Sequence, residues 1–253
     1  MKYVDQAETK VMLLFMSQHG INVRKSCSTL QGDGTFSTCP EGFGQLYFIF
    51  GCTESGKAIP AAFCILPVKT MATYEALFTT VKDAVGDMSH VTHFSADFEA
   101  AVHAAFRKLF PAATILGCLF HMRQAVHRQL VQKGVGVLYN ESSSFQEAVA
   151  LFYALPFVPE PDVEDVFNDV IMPFWDQHLE RWEEGFGVRE CVENVGCYLE
   201  NTYVVQKTRW GNKPARFPIS TWNKFSALVA AHEDPILLTN NSLEAYNSRL
   251  VNM

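Results

Sequence analysis

The chain has no C-x-x-C pair, and its seven cysteines, Cys27, Cys39, Cys52, Cys64, Cys118, Cys191 and Cys197, are odd in number and set mostly among apolar residues. That pattern speaks against a disulfide framework and for reduced, buried thiols in an intracellular protein. No apolar run approaches the roughly 18 residues that a membrane span needs. Nor does a basic N-terminal stretch lead into an apolar core and a small-residue cleavage site. A soluble chain without a membrane partner is therefore expected. Positive charge is also scarce: 20 Lys and Arg against 27 Asp and Glu leave a formal net charge of -7. This excludes a uniformly basic surface, so any contact with phosphates must come from local patches. No cluster of Lys and Arg forms a nuclear signal, and no repeat or low-complexity tract is present.

What is present is 253 residues with 48% hydrophobic content, enough for one large core or a core carrying an insertion. Val11, Leu14 and Phe15 fall on one helical face, which predicts a short lead-in helix ended by Gly20. From Thr29 the signals turn to strands. STLQGDGTF is followed by GQLYFIFGCTE and KAIPAAFCILPV, joined through Ser55-Gly56 as an antiparallel hairpin. Tyr74, Leu77, Phe78, Val81 and Val85 have the spacing of an amphipathic helix. Next come a strand from Val91 ending at Asp97, a helix stopped by Pro111, the strand ATILGCLF, and a helix through Arg123, Val126 and Leu130. This βββαβαβα order predicts an α/β fold with a mixed five-stranded sheet, a hairpin on one side and parallel units on the other.

After Tyr139 the pattern is helical, with segments near 144–154, 162–180 and 188–205. KTRWGNKPARFPISTW reads as a basic loop, and LTNNSLEAYNSRL as a closing helix capped by Asn240, Asn241 or Ser242. The expected organisation is a lead-in over 1–28, the first part of a core over 29–140, a helical insertion over 141–235, and a core-completing helix over 236–253.

Three acids stand out by position: Asp33 on the first core strand, Asp97 at the end of the fourth, and Glu244 in the last helix. Acids on two neighbouring strands and a helix packed on them can share a pocket for two Mg2+ or Mn2+ ions. Each has a plainer reading beside it. Asp33 precedes Gly34 and could occupy a turn, Asp97 could cap the helix beginning near Phe98, and Glu244 could be a solvated helix residue. Glu99 reads as an acid favourable to a helix N-terminus. Cys118 and His121 could face one another as zinc ligands, but no second pair is visible, so a buried thiol beside a histidine is the stronger reading. Arg123, His127, Arg128 and Lys133 form either a solvated helix face or a DNA contact. Lys207, Arg209, Lys213 and Arg216, interleaved with Trp210 and followed by Trp222, suit phosphates and exposed bases better.

The pieces DGTF, FGQLYFIFG, ADFEAAVHAAFRKLFP, GCLFHMRQAVHRQL and TNNSLEAYNSRL, in this order, resemble the transposase domain of Mutator-like elements, over roughly residues 29–252. That family belongs to the DDE transposases with a ribonuclease H-like fold. The resemblance implies that Asp33, Asp97 and Glu244 are the catalytic and metal-holding acids, with two Mg2+ or Mn2+ ions. It also implies that Cys118 and His121 support the acids or touch DNA. The implied chemistry is in-line attack of activated water on a DNA phosphodiester, then attack of the freed 3′-hydroxyl on target DNA. Transposon ends and target DNA would be the partners, a homo-oligomer is compatible, and a nuclear location follows from the substrate. A domesticated or truncated derivative that binds DNA or protein without cutting is the other expectation. The acidic pI and the lack of a DNA-binding module before Thr29 motivate it.

Overall fold

A computed structural model describes residues 2–4, 11–35, 38–53 and 57–230. Glu244, the whole closing helix, Phe36 of the DGTF motif and the Ser55-Gly56 turn lie outside the described residues. The chain divides into two compact units, the first running from the N-terminus to Cys118 and the second over Leu119–Glu233.

The first unit is built on one mixed sheet. Its elements are β1 (Lys2–Val4), β2 (Val11–Phe15), α1 (Gln18–Ser26), β3 (Thr29–Thr35), β4 (Gln45–Cys52), β5 (Ala58–Leu66), α2 (Met71–Val85), β6 (His93–Ala96), α3 (Ala100–Leu109) and β7 (Thr114–Gly117). The strand order is β1-β2-β5-β4-β3-β6-β7. Strands β3, β4 and β5 pair antiparallel, whereas β6 lies parallel to both β3 and β7. The α/β class and the mixed sheet are as the sequence predicts, but the sheet has seven strands where five were expected. The two additional strands come from the N-terminal segment, where a helix was expected. Val11 to Phe15 alternates, with Met12 and Leu14 buried in the core, Val11 and Leu13 half-buried and Phe15 exposed, and it pairs with β5. An apolar run of that length fits either period, and the exposed backbone of β5 decides it.

Alternation sorts the side chains of the sheet onto two faces. Leu30, Tyr47, Ile49, Cys64, Phe94 and Ile115 join Tyr74, Leu77, Phe78 and Val81 of α2 and Val102 and Phe106 of α3 in one large core. Phe94, Phe106, Phe78 and Phe110 form its centre, with Phe94 and Phe106 stacked at 4.1 Å and Phe78 edge-on to Phe106 at 5.3 Å. Helix α1 packs through Val23 and Cys27 on Ala61 of β5. On the other face lie Phe48 and Phe50, with Leu46 and Phe63. The antiparallel register sets Asp33 opposite Phe48 and Gln31 opposite Phe50 on that same face.

The second unit is helical: α4 (Leu119–Gln132), α5 (Gly136–Glu141), α6 (Ser143–Ala154), and α7 (Val163–Val166), which runs through a π-helical turn at Phe167–Ile171 into α8 (Met172–Phe186). Then come α9 (Arg189–Leu199), a second π-turn at Glu200–Val204, the hairpin β8 (Val205–Thr208) and β9 (Gly211–Pro214), α10 (Ile219–Trp222) and α11 (Phe225–Ala230). Its core is aromatic, and each buried indole has a hydrogen-bond acceptor. Trp175 donates to the Ala148 carbonyl at 3.0 Å, Trp182 to Ser144 Oγ at 2.9 Å, and Trp222 to the carbonyls of Tyr203 and Phe217. Trp222 is therefore structural and corrects the expectation that it presents a ring to bases. The hairpin also replaces the expected loop. Its strands carry no apolar alternation because β9 is exposed throughout, so backbone pairing alone marks them.

Candidate functional site

The segment QGDGT of β3 carries the first acid. Asp33 is only 5% exposed and lies within the strand, not in a turn as its Asp-Gly pair alone allows. Its Oδ1 accepts from the amide of Gly34 at 2.9 Å. The flanking glycines have a packing reason. A Cβ on Gly32 would come within 2.4 Å of the Tyr47 hydroxyl, and one on Gly34 within 2.5 Å of Gln45 Oε1. The strand that presents Asp33 on one face is thus pressed flat by β4 side chains on the other. Gln45 Nε2 in turn donates to the Tyr74 hydroxyl of α2, which also lies against Glu99.

Asp97 follows β6 directly. The parallel pairing of β3 and β6 ends at Gln31 opposite Ser95, and two residues further along each chain stand Asp33 and Asp97. The register therefore brings the acids level at the C-terminal ends of neighbouring parallel strands, the rim where α/β sheets place their ligands. Asp97 is not the cap of the next helix, because α3 begins at Ala100 with Glu99 at the cap position. Instead its carbonyl accepts from Nε2 of His103, a turn into α3, at 2.7 Å. His103 is 3% exposed, and burial pushes its imidazole down to about 4, so the neutral ring is the donor that anchors the Asp97 main chain. Burial first, and then the charges of Asp97 and Asp33 among others, holds the Tyr47 phenol protonated.

Glu99 pairs with Lys69 at 3.3 Å while lying against the Tyr74 hydroxyl. Cys118 is buried at the end of β7, and its amide donates to the Ala96 carbonyl at 3.0 Å, tying β7 to β6 one residue before Asp97. His121 sits in the first turn of α4 with Phe120 edge-on to its ring at 5.6 Å. Among the described residues no group of three or more His, Cys, Asp or Glu could hold a metal ion. The described part of the site thus offers two carboxylates, hard oxygen donors of the kind Mg2+ and Mn2+ prefer.

Of the residues expected at DNA, Arg209, Trp210, Lys213 and Arg216 are exposed on or beside the β8–β9 hairpin. Trp210 is 82% exposed at its tip, with the Arg209 guanidinium 4.5 Å from its ring centre. Gly211, at φ +111, closes the turn where a side chain would be strained. Lys207 is drawn into an ion pair with Glu200 and a hydrogen bond to Asn168. Arg128 is exposed on α4, and Arg123 stacks on Tyr153 at 5.1 Å. Sequence reasoning missed Tyr47, Gln45, Tyr74 and His103, whose roles depend on contacts that spacing does not reveal.

A mixed α/β sheet with two acids level at the ends of parallel neighbours defines a class of domain compatible with the ribonuclease H-like fold. Residues 29–125, the segment that carries both acids, Cys118 and His121, match the family model of the MULE transposase domain. No curated protein matches the chain.

Proposed function

We propose that the chain is the catalytic domain of a DDE-type DNA transposase, cutting and joining DNA phosphodiesters. The observation that carries the reading is the level placement of Asp33 and Asp97 within a segment that matches a transposase domain. Asp33, Asp97 and Glu244 would hold two Mg2+ or Mn2+ ions, which when bound supply an activated oxygen nucleophile and stabilise the leaving oxygen. The chain's own part is positioning. Gln45 and Tyr47 brace β3 behind Asp33, and His103 fixes the main chain at Asp97. Arg209, Trp210, Lys213 and Arg216 would hold the DNA backbone and an exposed base, with Arg128 adding a phosphate contact from α4.

The test is nicking of a supercoiled plasmid in Mg2+ or Mn2+. Wild type is expected to nick, chelation to abolish nicking, and Asp33→Asn and Asp97→Asn each to lower it by at least about a hundredfold with DNA binding kept. Equal nicking by wild type and both variants would overturn the assignment of the acids. Binding without nicking by wild type would favour the non-catalytic module.

A further inference from the structure

Helices α4, α5 and α6, with the turn that follows α6, line an open cavity of about 700 Å³ within the helical unit. It is walled by the rings of Phe120, Tyr139, Tyr153 and Phe157 and by the cationic and imidazole side chains of Arg123 and His127. No carboxylate lines it among the described residues, in a chain whose net charge is -7. Phe120 and Phe157 are 41% and 40% exposed, more than burial in a core would leave.

The rings are held in place. Arg123 lies over Tyr153 at 5.1 Å, and the Tyr153 hydroxyl turns back toward the Arg123 carbonyl. His127 stands edge-on to Tyr139 at 5.6 Å. A guanidinium stacked on a ring keeps its N–H edge directed outward, ready for a phosphate oxygen. The neighbouring aromatic rings of the wall supply faces on which an unstacked base can stack. Gln124, also in the wall, carries both a donor and an acceptor for a base edge.

We propose that this cavity receives a single unstacked nucleotide of a DNA strand, its base among Phe120, Tyr139 and Tyr153 and its phosphate on Arg123. The proposal rests on the DNA-processing reading and deepens it, because it gives the helical unit a base-holding site separate from the hairpin around Trp210. A wall with a cation and no carboxylate selects an anionic occupant. The cavity presents several ring faces and one cation, which matches one base and one phosphate.

The test uses the full chain and fluorescent single-stranded oligonucleotides of about a dozen nucleotides, either intact or with one central abasic residue. Wild type is expected to bind the intact strand about five- to a hundredfold more tightly than the abasic one. Phe120→Ala and Arg123→Gln, both at exposed positions, are expected to fold as wild type and to lose that discrimination. Trp210→Ala should weaken both strands while retaining it. If wild type binds DNA but treats the two strands alike, or if the cavity variants discriminate as wild type does, the inference falls and the DNA reading stands. Such an outcome would leave the cavity to a protein segment. If wild type binds neither these strands nor duplex DNA, both readings fall.

Discussion

Gly32 shows how a single position supports the carboxylate beside it. With the Tyr47 hydroxyl and the Phe94 ring both inside 3 Å of the place where a Cβ would stand, Gly32→Ala is expected to cost about 1–3 kcal/mol by overpacking. Urea denaturation would measure it. Adding Tyr47→Phe removes one of the clashing atoms and should recover part of the loss. Arg24 makes the opposite case. It is 1% exposed, and its guanidinium nitrogens have no hydrogen-bond partner among the described residues. Burial pushes it down to about 9, well below the ordinary guanidinium range, and its neighbours Cys27 and Tyr47, both raised by burial, stay neutral. Arg24→Met is expected to stabilise the fold by about 1–4 kcal/mol. Because the folded-state value lies below the unfolded one, the penalty is complete below about pH 9 and fades as pH rises above it toward the ordinary guanidinium range. The gain in denaturation midpoint should therefore be largest at neutral pH and shrink above pH 9.

At the scale of elements, the β8–β9 hairpin is the part that stability does not need. Its tip ring is solvent-exposed and its outer strand is uncovered. Trp210→Ala is accordingly expected to leave the thermal midpoint within about 1 °C of wild type, a surface substitution outside any core. Its effect should appear as weaker DNA binding. The same hairpin marks where the sequence was hard to read. Strands β3 to β7 announce themselves by apolar runs, turns and the switch to helical spacing, because each buries a face. The hairpin buries almost nothing, and the run Val11–Phe15 is too short for its period to be decided without the neighbouring strand β5. The positions of Asp33 and Asp97 were legible from the strand pattern and the family motif. The reason for the glycines around Asp33 was not, since Tyr47 and Gln45 meet them only across a paired strand. The aromatic cavity was illegible for a similar reason, being assembled from three helices with no shared motif.

Across the whole molecule, charge sets how DNA can be held. With an overall charge of -7, the proposed DNA contacts, Arg123, Arg128, Arg209, Lys213 and Arg216, would be a few local cations and not a broad field. A single strand releases about 0.7 counterion per neutralised phosphate, so the logarithm of affinity should fall against the logarithm of salt with a slope no steeper than about −4. Fluorescence anisotropy across a salt series would read it, and a slope near −10 would show many more contacts than these residues can make. One further consequence follows from where the tryptophans lie. Trp175, Trp182 and Trp222 are at most 2% exposed, whereas Trp210 is 82% exposed. A collisional quencher such as iodide should therefore reach one indole in four, and the unlabelled protein already carries its own optical reporter of whatever settles on the hairpin.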